Sequence, residues 1–239
     1  MLEVVRRVVD PFLAEVDAIL GPGYTAILFG SAARGDYVPG RSDVNLMLIV
    51  ERAGPDVLDR LRPAFAGWRR AMPVTPLIIS RSEWLEGTDV FPIEICDMRA
   101  AREVLRGPDL VAQLQPDPAD LRRALEKELR GKLLRLRQRY VTHGEKKLGE
   151  WAGTTVPAIL LFFRCLLSLA GRPAPADPRA VVEGTGALIG FDPVPLLRVL
   201  ACRSAPATRL AAPDFEAYLE AVDRTARFTD QLQVGDQHS

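Results

Sequence analysis

A change of pattern at residues 107–118 constrains this chain more than any other feature. Before it, short apolar runs of strand length alternate with helical periodicities; after it, every periodic segment is helical. The junction itself holds three prolines and no periodicity, so it reads as a linker. Strands mixed with helices, then helices alone, predict an α/β (α+β) domain with a mixed sheet over residues 1–107. They also predict an all-α domain over 119–233. The chain has 239 residues, 48% hydrophobic and 26% charged, enough for two modest cores.

Within the first part, residues 2–20 carry apolar side chains at helical spacing, and Pro11 is expected to kink or split that helix. Residues 25–29 (TAILF) and 44–50 read as buried strands, 55–70 as a helix and 74–79 as a strand, with a short helix from Ser82. The alternation in 90–96 (VFPIEIC) predicts a further strand, and 100–105 a helix. The second part predicts helices over 119–141, 156–170, 179–189, 194–201 and 214–232.

Several function classes are disfavoured at once. Thirty-one basic residues balance thirty-one acidic ones, which argues against a globally basic nucleic-acid coat. Cys96, Cys165 and Cys202 are too scattered for a zinc site or a disulfide framework, so they read as buried thiols of a cytoplasmic protein. The apolar run 156–170 is interrupted by Arg164 and reads as a core helix, too short to span a bilayer.

The stretch FGSAARGDYVPGRSDVNLMLIV, residues 29–50, carries the chemistry. A buried strand ends at Phe29, and Gly30 and Ser31 then turn into a helix. Glycine permits close backbone approach, and free N–H groups at a helix start can grip phosphate oxygens, with the Ser31 hydroxyl beside them. Asp43 and Asn45 open the next strand and share one face of it. Two hard oxygen donors beside a phosphate turn suit Mg²⁺ or Mn²⁺. A third acid is expected at Glu94 in the 90–96 strand, with Asp97 as its competitor. Arg34 and Arg41 either balance nearby aspartates or meet phosphate.

Taken together, these residues resemble the signature of the polymerase-β-like nucleotidyltransferase superfamily: Gly-Ser, a spacer, Asp-x-Asp in an apolar strand, and a later third carboxylate. The ARGD and RSD segments are most similar to minimal nucleotidyltransferases, and FPIEICD to the aminoglycoside adenylyltransferases, which also carry a helical C-terminal domain. The resemblance implies binding of ATP or another NTP with its phosphates on Gly30 and Ser31 and Arg34 and Arg41 nearby. It implies divalent cations at Asp43, Asn45 and Glu94, and transfer of a nucleotidyl group, AMP from ATP, to an acceptor hydroxyl with release of pyrophosphate. Asp43 and Glu94 would be the catalytic carboxylates. The acceptor could be a small molecule, a protein or an RNA.

One departure stands out: position 45 is Asn where the superfamily pattern has its second Asp. An amide oxygen can ligate a cation but brings no charge to offset two of them. The alternative is therefore a catalytically reduced module that holds a nucleotide or a protein partner, an antitoxin-like role among them. Residues 122–147 carry ten basic and three acidic side chains, either a solvated helix face or a wall that attracts phosphate.

Overall fold

The computed structural model describes residues 2–40, 42–72, 76–143, 147–204 and 209–234. It divides into two compact units, Met1–Gln115 and Pro116–Ser239.

Unit 1 is built on a four-stranded sheet in the order β3-β2-β1-β4. Its strands are β1 (Tyr24–Phe29), β2 (Asn45–Val50), β3 (Leu77–Ser80) and β4 (Arg102–Arg106). β1 runs antiparallel to both β2 and β4, whereas β3 runs parallel to β2, so the sheet is mixed. β1 and β2 are central and buried on both faces, which is why they read as unbroken apolar runs. Helices α1 (Glu3–Leu20) and α3 (Pro55–Ala71) cover one face through Val9, Phe12, Leu13, Leu61 and Trp68, which pack on Leu28, Leu46 and Leu48. α1 is one helix; Pro11 sits on its exposed side, where the missing N–H leaves a carbonyl to water rather than to the core.

The other face is covered by α4 (Arg81–Glu86) and α5 (Pro92–Ala100), whose Trp84, Ile95 and Met98 pack on Ile27, Met47 and Ile49. A capping box at Ser80 and Glu83 starts α4. Here the structure corrects two expectations. The 90–96 segment is not a strand: Pro92 occupies the first turn of α5, and Ile95 and Met98, three apart, face the sheet. Residues 100–105 are not a helix; most of them form β4, the edge partner of β1. The expected linker also belongs partly to this core, because Leu110, Val111 and Leu114 are buried against the α5 face.

Unit 2 is helical: α6 (Pro118–His143), α7 (Leu148–Leu169), α8 (Pro178–Ile189), α9 (Pro193–Ser204) and α10 (Ala212–Gln231). α7 is the central element and packs against each of the other four. At 22 residues it is long and apolar enough to cross a bilayer, contrary to the shorter run expected, yet it is the core helix of this unit. Its buried Arg164 is satisfied by the carbonyls of Pro175 and Ala176, at 3.2 and 2.9 Å. The basic charge of α6 is partly neutralised within the unit. Arg130 pairs with Glu126 and Asp230, Arg137 with Asp223, and Arg123 with Asp120.

If α5 packs as a helix through Ile95, Ile95→Ala removes a fully buried side chain and lowers stability by about 2–4 kcal/mol. Urea unfolding measures this, and an unchanged midpoint would contradict the packing.

Candidate functional site

The site begins with strand register. β1 and β2 pair so that Phe29 lies opposite Asn45, the last and first residues of their strands. Directly opposed residues share a face of the sheet, so Asn45 lies on the α4/α5 face. The chain then turns at Gly30, whose φ of +71° is open to glycine at little cost. A Cβ at Gly30 would lie 2.5 Å from Asn45 Nδ2, so the amide fills the space a side chain would need. Sequence reasoning placed Asn45 beside this bend, and the structure brings the two into contact.

Ser31 opens the four-residue helix α2 (Ser31–Arg34) and is only 8% exposed. Among the described residues, neither the Ser31 hydroxyl nor the Asn45 amide has a hydrogen-bond partner. Two polar groups thus stand at one bend with hydrogen-bonding capacity that the described residues do not use. Val44 is buried between Asp43 and Asn45. Asp43 itself precedes β2 and is exposed. Tyr37 is close enough to feel it: burial first, and then the Asp43 charge, push the Tyr37 phenol above its ordinary pKa.

Arg34 lies at the C-terminal end of α2 with its side chain 10% exposed. Its guanidinium donates to Asp97 of α5 and faces Asp36 at 3.5 Å. The pairing with a nearby aspartate expected from sequence is formed with Asp36, and Asp97 joins it. The pair ties the Gly30–Ser31 bend to the helix beneath the sheet. Sequence reading named Asp97 only as a substitute for Glu94; its position one turn after Glu94, between buried Ile95 and Met98, was the signal available. Arg41 lies outside the described residues.

Glu94 is in the first turn of α5, not on a strand. It lines an open groove of about 660 Å³ walled by Met47, Leu77, Ile79 and Phe91. Met47 is the next β2 residue on the Asn45 face, so Glu94 and Asn45 lie on one side of the sheet. The later strands do not add an acid there. β3 (LIIS) has none, and Glu103 of β4 pairs with Leu28, whose side chain lies on the opposite face. Among the described residues no three of His, Cys, Asp and Glu converge as a metal site. Asp43 and Asn45 bring a single negative charge between them. This donor set does not fit the paired divalent cations that the sequence resemblance implies.

No protein-family profile and no curated protein matches the chain. Among solved structures it is similar to a spectinomycin adenyltransferase AAD(9) from Enterococcus faecialis, crystallised with ATP and spectinomycin. The TM-score is 0.51 at 15% identity, covering 93% of this chain and 99% of that one. The likeness establishes the fold that the two chains share: a mixed sheet with helices followed by a helical region.

Two substitutions test the geometry. Gly30→Ala forces a Cβ onto the Asn45 amide at positive φ and costs about 1–3 kcal/mol. Asp97→Ala removes the guanidinium's hydrogen-bonded carboxylate, leaves Arg34 with Asp36 alone and costs about 1.5–3 kcal/mol. Denaturant midpoints equal to that of the parent would show that neither contact holds the bend.

Proposed function

We propose that unit 1 binds a nucleoside triphosphate, ATP foremost, with phosphate oxygens at the Gly30–Ser31 bend. The carrying observation is that the Ser31 hydroxyl and the Asn45 amide stand together at Gly30, neither with a partner among the described residues. A phosphate oxygen can accept from both. The ATP in the similar adenyltransferase structure supports the choice of ligand. Arg34, held by Asp36 and Asp97, stiffens the bend from below.

A second reading, nucleotidyl transfer, is favoured by the same fold likeness. An acceptor hydroxyl oxygen would attack the α-phosphorus, a new P–O bond would replace the bond to the leaving pyrophosphate, and the hydroxyl proton would pass to a carboxylate. Asp43 is the candidate beside the bend, and Glu94, in the groove on the same face, is the candidate nearest a site for an acceptor. The groove has an apolar wall with Glu83, Glu86 and Asp89 among its lining residues, which suits a small acceptor bearing positive charge.

Binding is tested by titrating ATP calorimetrically. Ser31→Ala should weaken it roughly tenfold, the loss of one charge-assisted hydrogen bond of about 1.5 kcal/mol; equal affinity would remove Ser31 from the site. Transfer is tested with ATP labelled on the α-phosphate and a cell lysate. The second reading expects label on an acceptor, lost in Asp43→Ala; label transferred equally by that variant would remove Asp43 from the chemistry.

A further inference from the structure

We infer that this chain holds the triphosphate without a divalent cation, Asn45 acting as a hydrogen-bond donor to a phosphate oxygen. The inference rests on the nucleotide reading above and concerns how that site is made electrically compatible with its ligand. A carboxylate at position 45 would repel phosphate unless a cation stood between them. An amide nitrogen instead offers hydrogens directly. The tip of the Asn45 amide abuts the Gly30 bend, 2.5 Å from where a glycine Cβ would be, and rotation about its last side-chain bond can present the nitrogen to a phosphate there. The side chain has no hydrogen-bond partner among the described residues, so its hydrogens are available to a ligand.

The surroundings agree. On the Asn45 face the described strand residues nearest it are Phe29, Met47 and Arg102, none acidic. The Glu103 carboxylate belongs to the other face. Asp36 and Asp97 are engaged with Arg34. Among the described residues the acids that remain on this side include Glu94, which lines the groove, and Asp43 before β2; Asp43 is exposed, where water screens its charge, so it can tolerate a neighbouring phosphate without a bridging ion.

The test is ATP affinity by calorimetry in excess Mg²⁺ and in EDTA, for the parent chain, Asn45→Asp and Asn45→Ala, with thermal melts to confirm folding. The parent should bind within about twofold in the two conditions. Asn45→Asp should lose at least tenfold in EDTA and recover in Mg²⁺. Asn45→Ala, which removes the donor without adding charge, should lose affinity equally in both. Parent binding that falls tenfold or more in EDTA overturns the inference and leaves the nucleotide reading standing. So does an Asn45→Asp variant as tight as the parent in EDTA. No parent binding in either condition overturns the nucleotide reading and this inference with it.

Discussion

The antiparallel register of β1 and β2 is the constraint on which the rest depends. Pairing Phe29 with Asn45 ends one strand where the other begins and sets the Asn45 amide against the backbone of Gly30. Only a residue without Cβ fits there, and its positive φ turns the chain directly into Ser31. A one-residue slip would send Asn45 to the opposite face and bring Leu46 to the bend. Both strands are buried on both faces, so apolar packing by α1 and α3 above and α4 and α5 below resists such a slip. The chemistry at the bend is therefore held by the centre of the fold rather than by the loop that displays it.

A second tie comes from charge. Arg34 is almost buried between Asp36 and Asp97, so the bend is joined to α5 by an ion pair in a place where an unpaired guanidinium would be costly. Its ion pairs with two carboxylates tie α2 to α5. The result is a site with little net positive charge of its own, which gives weight to neutral donors such as Ser31 and Asn45.

Much of this was legible in the sequence. The buried strands declared themselves because a central strand needs apolar side chains on both faces, and the Gly30–Ser31 bend and Asn45 were placed side by side from spacing alone. Reading failed where two periods coincide. VFPIEIC alternates like a strand, yet the same residues supply Ile95 at the start of the Ile95–Met98 helical pair, and Pro92 favours a first helical turn. Arg102–Arg106, half-buried throughout, carries too weak a pattern to distinguish an edge strand from a helix. The prolines of 107–118 read as irregular chain but concealed Leu110, Val111 and Leu114, which are core residues without regular structure. The Arg34–Asp97 pair joins positions 63 residues apart and leaves no local trace.

The central claim is that a triphosphate is received at the meeting of Gly30, Ser31 and Asn45. The most direct measurement is a nuclear magnetic resonance titration of isotope-labelled protein with ATP, following the side-chain amide of Asn45 and the backbone amides of Gly30 and Ser31. The account predicts that these three move together, saturate at one midpoint, and shift more than the amides of β4. Signals from Asn45 and Ser31 that stay fixed while others respond would place the nucleotide elsewhere and contradict it.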